Sequence, residues 1–78
     1  MEQFAKFSLE KESLVQITIY DLKGKLVRKL YSGSRNAGFH TIAWNGLNND
    51  NQGVASGVYY VRMNSSEGTH TRKITLMK

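Results

Sequence analysis

Leu14-Val15-Gln16-Ile17-Thr18-Ile19-Tyr20-Asp21-Leu22-Lys23-Gly24-Lys25-Leu26-Val27-Arg28-Lys29-Leu30-Tyr31 is the stretch whose reading decides the fold. Val15, Ile17 and Ile19 alternate with Gln16, Thr18 and Tyr20. Three β-branched residues at period two make one buried strand face, with Tyr20 on the wetter side. Asp21-Leu22-Lys23-Gly24 then turns the chain: an Asp side chain fixes the start of a turn, and Gly24 accepts positive φ. Lys25 to Tyr31 returns, which predicts an antiparallel hairpin. Strict alternation fails in the second arm. Leu26 and Leu30 share a face with Arg28, while Val27 and Tyr31 share the other with Lys29. A β-bulge that turns Val27 and Leu30 inward together resolves the conflict.

Working outward, Phe4 to Leu9 reads as a strand with Ala5, Phe7 and Leu9 on one face and Lys6 and Ser8 on the other. Glu10-Lys11-Glu12-Ser13 is a polar break, too short to bury a helical face. Downstream, Ser32 to Gly38 is a loop by composition. Phe39 to Trp44 is a strand. Its His40/Ile42/Trp44 face is taken as core, because a large aromatic beside a β-branched residue buries the most area, and His40 then sits at the core's edge. Asn45 to Gly53 is a long polar turn. Val54 to Ser56 adds a short edge strand before Gly57 resets the backbone. Val58 to Met63 is a strand with Tyr59, Val61 and Met63 inward, and Asn64 to Gly68 is a hairpin loop. Thr69 to Met77 is the last strand, with Ile74 and Leu76 inward, and Lys78 closes the chain.

Six or seven short strands with no helix pattern give an all-β fold, a sandwich or small barrel. Two facing sheets would bury Val15, Ile17, Ile19, Ile42, Trp44, Tyr59, Val61, Ile74 and Leu76. Seventy-eight residues make one domain of modest stability. With no cysteine, disulfides and thiolate metal sites are excluded. There is also no proline, so edge protection falls to the lysines. Met1-Glu2-Gln3 has neither part of a signal peptide, and no apolar run approaches the ~20 residues of a membrane span.

The chemistry-bearing residues are dispersed. Net charge is +5, but the eleven basic residues are spread along the chain, with only Lys23 to Lys29 dense. No nucleic-acid partner is expected from that pattern. The six acids, Glu2, Glu10, Glu12, Asp21, Asp50 and Glu67, fall in termini and turns, and nothing pairs two of them for acid–base hydrolysis. No Ser/His/Asp arrangement is visible either. The chain is therefore expected to be non-enzymatic, without catalytic, cofactor or metal residues. The one metal candidate is Asn45, Asn48, Asn49, Asp50 and Asn51. In a calcium-loop register with Gly53 at the sixth position, the twelfth falls on Tyr59 where a bidentate glutamate is needed. The alternative is that these side chains bond their own backbone.

Four segments together carry a family resemblance: Val15-x-Ile17-x-Ile19-Tyr20-Asp21-Leu22-x-Gly24-x-x-Val27-x-x-Leu30; Gly38-x-His40-x-Ile42-x-Trp44-Asn45-Gly46; Gly53-Val54-x-Ser56-Gly57-Val58-Tyr59-Tyr60-Val61-Arg62; and Thr71-x-Lys73-Ile74-x-Leu76-x-Lys78. In order, they resemble the C-terminal type A sorting domain of the type IX secretion system. The same core pattern also resembles the immunoglobulin-like domain of flagellar hook-capping proteins. The first resemblance implies a seven-stranded immunoglobulin-like antiparallel sandwich, residues 1–78 forming a single C-terminal sorting domain. Its partners would be an N-terminal cargo domain in the same chain, the outer-membrane secretion machinery and a sortase-like peptidase. It would be exported, passing through the periplasm to the cell surface or medium. The family's motif positions fall on Gly24, Gly57, Tyr59, Lys73 and Lys78. Gly24, Trp44, Gly57 and Tyr59 would be structural, and Thr71, Lys73 and Lys78 on the last strand would form the recognition surface. Two other readings stand beside this one: a passive accessory or carbohydrate-binding sandwich, and a structural module of the hook-capping kind.

Overall fold

The computed structural model describes residues 3–77, with side chains described from Ala5 onward. It contains six strands: β1 (Gln3–Leu9), β2 (Ser13–Tyr20), β3 (Leu26–Arg35), β4 (Gly38–Trp44), β5 (Gly57–Ser65) and β6 (Gly68–Leu76). Every pairing is antiparallel. They form two sheets, β1-β4 and β3-β2-β5-β6. The fold is an immunoglobulin-like β-sandwich in which a two-stranded sheet covers a four-stranded one.

The β2–β3 hairpin follows from its sequence. Oδ1 of Asp21 accepts the backbone N–H groups of Lys23 and Lys25, each at 2.9 Å, and Gly24 takes φ +83°. An alanine there would be forced into the left-handed region. The register then slips twice. Ile17 pairs with Tyr31 but Thr18 with Lys29, leaving Leu30 extra; Ile19 pairs with Arg28 but Tyr20 with Leu26, leaving Val27 extra. Both extra residues are half-buried and packed on the core. A residue without a cross-strand partner is free to rotate out of the alternation, and here each rotation brings in an aliphatic side chain.

Val15, Ile17, Ile19 and Leu76 have no exposed surface, and Trp44 is sealed beneath the small sheet. Tyr59 and Val61 are buried as expected, joined by Phe7 and Leu9. Each such side chain stabilises the fold by roughly 1.5–3 kcal/mol. Ile42 and Ile74 are only half-buried. His40 stands at the core's edge as expected, stacked on Phe7 with ring centroids 5.3 Å apart, its Nε2 donating to the Asn36 carbonyl at 2.7 Å.

Three expectations need correction. Ser32 to Arg35 is strand rather than loop, because Tyr31 supplies the packing that Gly33 lacks. A Cβ on Gly33 would stand 2.8 Å from the Tyr31 hydroxyl, and the Arg35 guanidinium lies 4.6 Å from the Tyr31 ring centroid. This is the aromatic rescue of a strand glycine. Val54 to Ser56 forms no strand. The Val54 N–H meets the Gly46 carbonyl at 3.0 Å as part of an isolated antiparallel bridge between Leu47 and Gly53, and the Ala55 carbonyl is taken by the Tyr59 hydroxyl at 2.6 Å, so the ladder goes no further. Asn64 to Gly68 is mostly strand. Only Ser66 and Glu67 turn the β5–β6 hairpin, whose last pair is Ser65 with Gly68.

That short turn is tied to a segment more than fifty residues earlier in the chain. The Ser66 N–H donates to Oγ of the buried Ser13 at 3.0 Å, and Oε2 of Glu67 accepts the Glu10 N–H at 2.8 Å. The β5–β6 hairpin is thereby clamped to the connection between β1 and β2.

Candidate functional site

Glu10, Glu12, Asp21, Asp50 and Glu67 lie apart in turns and connections, and no group of three His, Cys, Asp or Glu residues able to hold a metal exists among the described residues. The Asn-rich loop spends its oxygens on structure. Oδ1 of Asn48 accepts from the backbone of Asp50 at 2.9 Å and Gln52 at 3.0 Å; Oδ1 of Asn49 accepts from the Lys29 N–H at 2.9 Å. Nη1 of Arg28 donates to the Asn48 carbonyl at 2.6 Å, and Asn51 takes φ +60°. The loop is therefore stitched onto the outer edge of β3, and its asparagines serve turn geometry.

Gly24, Trp44, Gly57 and Tyr59 occupy packing and turn positions. Trp44 donates its indole N–H to the Leu47 carbonyl at 2.9 Å and meets Tyr59 edge-on at 5.3 Å. The Tyr59 hydroxyl, near the start of β5 and bonded four residues upstream, is the tyrosine corner of immunoglobulin-like sandwiches. Gly57 opens β5 at φ +156°.

The outer face of the large sheet is the polar surface on which Thr71 and Lys73 lie. Directly opposed residues share a face, so the ladders define three rows across it. Tyr20, Tyr60 and Lys73 form one; Thr18, Arg62 and Thr71 the next; Gln16, Asn64 and Thr69 the third. Lys29 joins the second row opposite Thr18. Two half-buried tyrosines thus lie among three cations, and a shallow depression of about 310 Å³ runs between Tyr20, Tyr60, Arg62 and Thr71. Thr71 and Lys73 are exposed and two residues apart on edge strand β6. Lys78 lies outside the described residues. A flat, basic face without a cleft suits protein–protein contact better than turnover of a small substrate.

Sequence reasoning missed a second surface. A groove of about 320 Å³ runs along the edge of β1 that faces away from β4, over the inner face of β5 and β6. Phe7, Ile17, Val61, Met63 and Ile74 supply its apolar lining. The signal was present in the last strand. At successive inward positions, Leu76 is buried, Ile74 half-buried, and Arg72 and His70 exposed.

The family model for the FlgD Ig-like domain matches residues 3–69. The chain belongs to the FlgD Ig-like domain family. The basal-body rod modification proteins FlgD of Salmonella typhimurium and of Salmonella typhi are each 39% identical to it over 54 residues. Those residues make up 69% of this chain and 23% of each relative, so the chain spans under a quarter of the length of the curated relatives it matches. No solved structure matches it.

This membership overturns the type IX sorting-domain reading, together with the outer-membrane machinery and sortase-like peptidase as partners. The physical reason is plain in the fold. Ile17, Ile19, Trp44, Tyr59 and Leu76 are core, and Asp21 and Gly24 make a turn. Those segments encode the sandwich itself, which both families build, and so they do not discriminate between their functions. Among the described residues no helix is long and apolar enough to cross a membrane.

Proposed function

We propose that this chain is a non-catalytic structural module, presenting a rigid β-sandwich surface for protein–protein contact in a flagellar assembly of the hook-capping kind. Its membership of the FlgD Ig-like domain family carries this reading. The two FlgD relatives, named for modification of the basal-body rod, make rod and hook subunits its first candidate partners. The scattered acids and the flat, basic outer face agree with a role in contact rather than turnover. Thr71 and Lys73 belong to the proposed contact face, beside Tyr60 and Arg62. Export, which the sorting-domain resemblance implied, is kept only as part of this proposal.

The test is a domain exchange. The whole 78-residue chain, β6 included, replaces the matching domain of the Salmonella typhimurium FlgD protein, and flagella are counted by electron microscopy in a strain lacking its own copy. The exchanged protein is expected to restore assembly. A stable, exported exchange protein that leaves cells bald, and binds neither rod nor hook subunits in a purified pull-down, would remove the proposal.

A further inference from the structure

The covering sheet is too narrow for the sheet beneath it. Neighbouring strands lie about 4.8 Å apart, so the two strands β1 and β4 leave roughly two strand widths of the four-stranded sheet bare. The shortfall is on the β1 side. β4 closes one edge of β1, and the other edge carries the unsatisfied backbone donors and acceptors of a sheet margin. Below it lies the groove with Met63 and Ile74 half-buried, while His70 and Arg72 point from inward positions on β5's partner strand into open space. A ladder edge alongside an apolar floor is the arrangement that accepts an added strand.

The charges state what kind of strand. Lys6, His70 and Arg72 line the groove, and no acidic residue does. None of the three has an ion-pair partner among the described residues, in a chain of net charge +5. A second copy of the chain would bring cations against cations. We infer that the free edge of β1 and the bare inner face of β6 form a strand-acceptor site for an extended segment of a partner protein, apolar on its inward face and acidic on its outward one. The incoming backbone pairs with β1 and completes the small sheet as a third strand. Its inward side chains cover Met63, Ile74 and the aliphatic stem of Arg72; its outward carboxylates flank Lys6 and are drawn by the Arg72 charge across the thickness of one strand. The site is separate from the outer face of the large sheet and does not depend on which assembly the domain serves.

The probe is a nine-residue peptide alternating valine and glutamate, titrated into the ¹⁵N,¹³C-labelled chain and followed by NMR at low salt. A control peptide carries lysine in place of glutamate. Saturable shifts are expected at alternate amides of β1 and at the methyl groups of Met63 and Ile74, with the control at least about tenfold weaker. Lys6 and Arg72 are exposed, so charge reversal there is expected to keep the fold, checked by an unchanged amide spectrum away from the groove, and the double variant Lys6→Glu, Arg72→Glu is expected to invert the preference toward the lysine peptide. Equal binding of both peptides, shifts centred on the edge of β3 or β4, or no saturable shifts would each overturn the site. A concentration-dependent dimer that protects the same β1 amides would also overturn it, by making a second copy the occupant.

Discussion

The two flanks of this sandwich are finished differently. On the β3 flank, the edge strand is stitched to the Asn-rich loop. Asn49 donates its N–H to the Val27 carbonyl at 3.1 Å and accepts from Lys29, while Arg28 reaches the Asn48 carbonyl. On the β1/β6 flank nothing comparable covers the gap, and the inward face of β6 opens steadily from Leu76 to His70. The same chain therefore protects one edge with its own backbone chemistry and leaves the other bare. Edge strands are a liability unless blunted or used, and the groove on the bare side has the basic, apolar lining of a surface in use.

Four substitutions break or sharpen that contrast, each read by urea unfolding. Trp44→Ala removes the largest sealed side chain and its indole bond, and is expected to cost about 3–5 kcal/mol. In a domain of this size that abolishes the cooperative transition; a retained transition with a small shift would mean that the core does not hinge on this residue. Asn48→Ala deletes the acceptor for two backbone N–H groups on the stitched flank, for a loss of about 1–2 kcal/mol. It should also speed hydrogen exchange at Lys29; a loop whose loss leaves β3 exchange unaltered would not be what protects that edge. Ile74→Ala, on the bare flank, should cost only about 1 kcal/mol, below the usual range for a sealed isoleucine, because its site is already half open. A cost equal to that of a buried site would show the flank to be closed. Lys73→Glu, on the exposed outer face, should stay within about 0.5 kcal/mol of the parent. It separates contact from stability, since any loss of rod or hook binding would then belong to the surface itself.

What the sequence disclosed follows the range of each interaction. The β2–β3 hairpin, its Asp21 turn and the inward placement of Val27 and Leu30 were legible because alternation and turn chemistry are local, although one bulge was expected where two occur. Ser32 to Arg35 was not, because its strand character comes from the Tyr31 ring lying over Gly33. Val54 to Ser56 was misread because a side chain further along, Tyr59, takes the carbonyl that a ladder would need. Alternation likewise put Thr71 and Lys73 outward, where they are found. The groove depends on the strand order β3-β2-β5-β6 opposite β1-β4, which no local pattern encodes. Its one trace was Arg72 and His70 continuing the inward register of Ile74 and Leu76.

The clamp between Ser13 and Ser66 has a temporal side. Its partners are 53 residues apart, and the bond from Glu10 to Glu67 spans 57. Closing such distant pairs is entropically expensive before it is rewarded, so the domain belongs among slow folders, roughly milliseconds to seconds. During synthesis, β1 and β2 emerge long before the hairpin that locks them. The finished sandwich becomes available only once its last quarter is free of the ribosome.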